Sequence, residues 1–174
     1  MALFSRPRLP PAVAERLALL PGERVVAWGT GPGPEPGTTA YVVATDRALH
    51  LPDWAGGSRV PWDLVQRASW ADGVLDVSVR DSPRARPRRV VVRLDDEREL
   101  PVVVRERVEA SIEVQQHLDL EGRPGGVAVA ARRVSDTGEL RWSLSFDPGL
   151  DGRDPALRAQ AQQALAELRG ALGL

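Results

Sequence analysis

Five arginines stand within ten residues, at Arg80, Arg84, Arg86, Arg88 and Arg89, with Asp81 the single carboxylate among them. Guanidinium groups at that density can clamp a phosphate or a carboxylate through paired, charge-assisted hydrogen bonds. Pro83 and Pro87 stiffen the segment, so less ordering entropy would be lost on binding. The acidic cluster Asp95, Asp96, Glu97 and Glu99 stands beyond a predicted strand, on the order of 20 Å away at strand rise. With a screening length of about 8 Å at physiological salt, that cluster cannot neutralise the arginines. The loop 80–89 is therefore the candidate contact for an anionic partner, against the plainer alternative of a solvated hairpin loop that keeps the protein soluble.

Other residue types offer less. His50 falls inside a predicted strand and His117 on the polar face of another; neither has HxxxH or HxE spacing, so no metal site is expected. Ser58 and Ser69 lack the GxSxG elbow that exposes a nucleophile. The run 29–37 alternates glycine and proline, but its prolines remove amide donors and β-prone residues follow. It reads as a stiff connection between strands rather than a phosphate cradle. The acidic cluster lacks the ligand order of a calcium loop and reads as a solvated hairpin turn. Asp46-Arg47 reads as a tight turn with a local ion pair. There is no cysteine, which removes disulfides, thiolate zinc sites and thiol nucleophiles. All 23 cationic residues are arginine, so no lysine serves a P-loop or a Schiff base. No catalytic residue and no cofactor is expected, and the chain does not read as an enzyme.

The 174 residues can bury roughly 70% of the unfolded surface, enough for one substantial core with an appendage. A composition 43% hydrophobic and 27% charged is that of a globular protein. Net charge is -1, so no global basic field holds nucleic acid, and any such binding must be local to the arginine loop. Prolines break the opening residues before any apolar stretch, and no run approaches a membrane span, so the expected location is the cytoplasm. Arginine, alanine and glycine in excess, one isoleucine and no asparagine read as the bias of a high-GC bacterial genome.

The elements that must position these residues follow from periodicity. Leu9, Val13, Leu17 and Leu20 recur at helical spacing from Pro11 until Pro21-Gly22. Seven short strands are then predicted at 24–29, 39–45, 47–51, 58–61, 65–70, 74–80 and 89–94, with Asp72-Gly73 as a tight hairpin turn. Trp62, Leu64, Ala68 and Trp70 share parity and are expected on one core face. Trp62, Leu75, Val77, Val79, Val90 and Val92 are expected to point inward. A short helix at 102–109 precedes a strand from Ile112, where even positions are apolar and odd ones polar. Residues 127–134 and 140–146 form a hairpin, and Asp154-Pro155 starts a helix with Leu157, Ala161, Leu165, Leu168 and Leu172 on its apolar face.

Two segments carry a resemblance. VVATDRALHLP (residues 42–52) and RVPWDLVQRASW (residues 59–70) resemble bacterial pleckstrin-homology-like and GRAM-like domains, with Thr45, Asp46, Arg47 and Leu49 matching a turn motif and Val60, Pro61, Trp62 and Val65 a following strand motif. The resemblance spans about residues 22–109. It implies a split antiparallel barrel of seven strands closed by a helix, and a binding module rather than an enzyme. Family members that bind inositol phosphates use basic residues around the first strand loop; residues 30–37 hold none and carry Glu35, which argues against a phosphoinositide ligand.

The expected class is thus α+β, mainly β: an N-terminal helix (1–21), a PH-like barrel (22–110) and a C-terminal extension of three strands and a helix (111–174) packed on it. The expected function is that of a cytoplasmic protein-interaction module, the alternative being a binder of an anionic ligand or nucleic acid through Arg80, Arg84, Arg86, Arg88 and Arg89.

Overall fold

Strict alternation of apolar and polar side chains builds the centre of the molecule. A computed structural model describes residues 8–17, 19–55, 59–82, 85–122 and 124–173. The fold is mainly β, with three antiparallel sheets and a C-terminal helix. The chain divides into two compact units, Met1–Ala110 and Ser111–Leu174.

In the first unit a short helix, α1 (Pro11–Arg16), precedes β1 (Val25–Pro32), β2 (Thr39–Thr45), β3 (Ala48–His50) and β4 (Arg59–Pro61), which form one sheet in that order. A second sheet holds β5 (Val65–Ala71), β6 (Val74–Val79) and β7 (Arg88–Arg93), and helix α2 (Leu100–Ala110) follows. The sheets do not close into a barrel; they share one core with the helix. Every second residue of β6 is buried (Leu75, Val77 and Val79), as are Val90 and Val92 of β7, and α2 adds Leu100, Val104 and Val108. All six side chains expected to point inward are buried. Asp72 and Gly73 both take positive φ, 50° and 73°, the backbone of a tight two-residue turn that glycine adopts freely.

The structure departs from the sequence reading where a tertiary contact overrides a local signal. β1 runs on through Gly31 to Pro32 although glycines read as breakers. A Cβ on Gly31 would stand 2.0 Å from the carbonyl oxygen of Arg93, so glycine lets two backbones cross. Beside it the Thr30 amide donates to the Asp96 carbonyl (2.9 Å), while the Asp95 and Asp96 amides donate to Thr30 (2.8 and 3.0 Å). The acidic segment is therefore not a hairpin turn: it ties β1 to the approach of α2, which begins at Leu100, a wholly buried residue. Trp62 and Leu64 do not share a strand face with Ala68 and Trp70. They lie in a 3-10 turn, Trp62–Leu64, that carries the chain from the first sheet to the second. Helix α1 ends at Arg16, short of Pro21-Gly22.

The second unit is a three-stranded sheet, ordered β10-β9-β8, with one helix. Its strands are β8 (Ile112–Asp119), β9 (Gly126–Arg133) and β10 (Leu140–Phe146), and α3 (Pro155–Ala171) follows. Asp154 caps α3 by accepting from the Ala156 amide at 2.9 Å, and Pro155 needs no partner in the first turn. Leu157, Ala161 and Leu165 are buried with Val127 and Val129 of β9 and Leu168 packs against them, so the sheet covers this part of the α3 stripe; Leu172, expected on the same face, caps the helix end and is exposed.

Two outcomes follow from this packing. Val77→Ala should lower unfolding free energy by about 2 kcal/mol in denaturant titration, because β6 is the middle strand and its side chain has no exposure; a change within error would contradict the core assignment. Deleting residues 154–174 should bare the β9 face and give an aggregating protein by size-exclusion chromatography, and a monodisperse truncated chain of unchanged melting temperature would contradict it.

Candidate functional site

Strand parity decides what the arginine segment can do. In the register of the second sheet, Arg89 of β7 lies opposite Ser78 of β6, which lies opposite Arg67 of β5, while Arg88 lies opposite the buried Val79. Neighbouring strand residues face opposite sides of a sheet, so Arg89 belongs to the outer face and Arg88 to the other. Arg88 donates Nε to Asp81 Oδ1 (2.9 Å) and Nη1 to the Ala55 carbonyl (3.1 Å). Arg89 grips Asp76 with Nε 3.0 Å from each carboxylate oxygen and Nη2 2.7 Å from Oδ2. These hydrogen bonds, more than any other influence, hold the Asp76 carboxyl below its ordinary pKa. The carboxylates nearest the arginines are thus Asp76 and Asp81, not the distant cluster. Arg86 is exposed, the half-buried Arg80 donates its amide to Leu64 (3.0 Å), and Arg84 lies outside the described residues. Arg88 and Arg89 thus face opposite sides of the sheet.

A second cluster, which sequence reasoning missed, sits inside the first unit. The side chain of Glu23 has no solvent exposure. Its Oε1 accepts from Thr45 Oγ1 at 2.6 Å, its Oε2 from the Leu20 amide at 3.1 Å, and Arg59 Nε stands 3.3 and 3.0 Å from the two oxygens. His50 Nε2 lies 3.5 Å from Oε1. Thr45 Oγ1 also receives the Arg47 and Ala48 amides (3.2 and 2.8 Å), and the indole N–H of Trp62 donates to the Thr45 carbonyl at 3.1 Å. Asp46 turns away and binds the Arg24 amide (2.8 Å) and Arg24 Nε (3.4 Å), so its ion pair is with Arg24. Of the residues that carry the family resemblance, Thr45, Arg47 and Trp62 are therefore bound to one another, and Glu23 and Arg59 join them in holding the β2–β3 turn against β4 and the approach to β1. The register of β3 and β4, with His50 opposite Arg59, was the one local clue. Glu23 lies 22 residues from Thr45 and carries no pattern in the chain.

Burial, the largest influence on Glu23, raises its pKa; hydrogen bonds from Thr45, Leu20 and Arg59 and the charge of Arg59 outweigh it and bring the group to about 2, from an ordinary 4.5. Burial, above all, lowers the pKa of His50, so the ring is neutral at pH 7. A buried carboxylate with its acceptor capacity filled, beside a neutral imidazole, has no open side for a substrate. It is a structural centre.

In the second unit His117 Nε2 lies 2.9 Å from Asp147 Oδ2, and the Gly126 amide donates to the same oxygen at 2.8 Å. The carboxylate joins the ends of all three strands. Two of the open grooves among the described residues lie in the first unit. One, of about 330 Å³, runs between β5 and α2 past Trp70, Pro101, Val102 and Arg105, and the other, of about 390 Å³, lies beside α1 against Tyr41 and Trp54. Ser69 is exposed on β5, and Ser58 lies outside the described residues.

Because the folded state lowers both pKa values, the cluster stabilises the protein at neutral pH and weakens as acid rises: His50 costs stability below its ordinary 6.5, and Glu23 between about 4.5 and about 2. Glu23→Gln should cost about 3 kcal/mol at pH 7. The difference from wild type, followed by chemical unfolding across pH, should shrink between pH 4.5 and 2; a difference constant with pH would contradict the ionised, hydrogen-bonded state.

Compared with known protein families, curated proteins and solved structures, the chain matches none.

Proposed function

We propose that the chain is a non-catalytic, cytoplasmic protein-interaction module whose residues 22–110 form a PH-like domain. The observation that carries this reading is the order of elements: a four-stranded antiparallel sheet, a three-stranded antiparallel sheet, then a helix that sends Leu100, Val104 and Val108 into the core shared by both. That order is what the resemblance at residues 42–52 and 59–70 implies. The polar residues of those segments support the same reading, since Thr45, Arg59 and Trp62 are engaged in holding the fold. Among the described residues no helix is long and apolar enough to cross a membrane. The β1–β2 connection holds no basic residue and carries Glu35, which favours a protein over a lipid headgroup as ligand.

The exposed apolar side chains Trp54, Val91 and Val102 (46%, 44% and 52% exposed) mark three faces on which a partner could sit. A photo-cross-linking amino acid placed singly at each, in the full chain expressed in its native host, should give a reproducible adduct with one defined protein from at least one position. No adduct from any position, together with turnover of a compound in a metabolite-extract assay, would contradict the module reading.

A further inference from the structure

The outer face of the β5–β6–β7 sheet carries a pattern of charge and apolar surface. Its outward residues are Arg67, Ser69 and Ala71 on β5, Val74, Asp76 and Ser78 on β6, and Arg89, Val91 and Arg93 on β7. Three arginines thus face one aspartate. Arg67, Arg89 and Arg93 are exposed, and so is Val91 between the last two. Cross-strand spacing sets Arg67 and Arg89 about 10 Å apart, and strand rise sets Arg89 and Arg93 about 13 Å apart with Val91 midway. Arg93 has an acidic neighbour, Asp95, at 3.8 Å, but both side chains are more than two-thirds exposed, and such a pair yields readily to a competing carboxylate. Asp76 shows what this face does with a carboxylate: Arg89 holds both of its oxygens, and the charge of Arg67 lowers its pKa further.

We propose that this face binds an extended, acidic segment of a partner protein, with two carboxylates four residues apart meeting Arg89 and Arg93 and an apolar side chain between them covering Val91. An extended chain repeats on one side every two residues, the period of Arg89, Val91 and Arg93, so the partner's groups fall in step with the strand beneath. Arg67 takes a third anionic group or the segment's carboxyl end. Charge complementarity selects the occupant. Nucleic acid fits less well, because the outward set has no aromatic ring on which a base could stack, Asp76 stands at its centre, and a net charge of -1 supplies no long-range attraction. The contact differs from the loop 80–89 expected from sequence: of the described loop arginines only Arg89 belongs to it.

This inference rests on the reading of the chain as a protein-interaction module and is tested separately from it. The probe is an eleven-residue peptide with two glutamates four residues apart and a leucine midway, followed by fluorescence anisotropy on the full chain. Binding should appear below roughly millimolar peptide and weaken as salt rises, with the glutamine version about tenfold weaker. Arg67→Glu with Arg93→Glu should weaken it about tenfold at unchanged melting temperature, Val91→Asp should do the same, and Arg86→Glu should leave it within about twofold. Equal binding of the two peptides, no binding at millimolar peptide, or equal loss from Arg86→Glu would overturn the proposal. So would an oligothymidine that binds more tightly than the peptide and is lost in the same variants. If cross-links form at Trp54 or Val102 but not at Val91, this face is wrong and the module reading stands.

Discussion

A carboxylate with no access to water sets the terms for the first unit. Burying an unpaired charge costs several kcal/mol, so Glu23 can lie inside the fold only where donors surround it. Thr45, Arg59 and the Leu20 amide supply them from three separate stretches of chain. Once they converge, the β2–β3 turn is fixed, because the same Thr45 hydroxyl receives the amides of Arg47 and Ala48, and Trp62 is drawn beneath it by the Thr45 carbonyl. Trp62 then fills the core at the point where the chain leaves one sheet for the other. Hydrophobic burial supplies most of the stability; the polar cluster selects which way these strands meet.

This arrangement assigns the chemistry-bearing residues. Thr45, Arg59 and His50 are turned inward around Glu23, while Arg67, Arg89 and Arg93 keep their guanidinium groups in solvent. Alternation separates the two sets. It also divides the arginines of the 80–89 segment, since Arg88 reaches Ala55 on one side while Arg89 holds Asp76 on the other. Arg67, Arg89 and Arg93 therefore lie together on one solvent-facing side of the β5–β6–β7 sheet.

The parts of the fold legible in the sequence are those dictated by neighbours in the chain. The period of two in 74–79 and 140–146, the Asp72-Gly73 turn and the Asp154-Pro155 helix start each record a local rule, and each element is where its pattern places it. Gly31 could not be read, because it is required by Arg93, a residue 62 positions away that crosses its backbone. Trp62 was placed by parity on one face with Trp70, and parity has no meaning across the 3-10 turn in which it sits. The carboxylate partners of the arginine segment were hidden for a related reason. Distance along the chain drew attention to the cluster at 95–99, too far away to neutralise the arginines, whereas the hairpin folds Asp76 back beside Arg89; charge neighbours in a sheet are set by register.

The measurement closest to this account is hydrogen exchange at the indole N–H of Trp62 under native conditions, compared with the amide of Val77 in the central strand β6. If the Glu23–Thr45–Trp62 cluster is integral to the first unit, the indole proton exchanges only when the unit unfolds, and its protection free energy matches that of Val77. An indole proton that exchanges at nearly the rate of a free tryptophan while Val77 stays protected would show that the cluster opens on its own, and the polar centre would then not be what holds the fold.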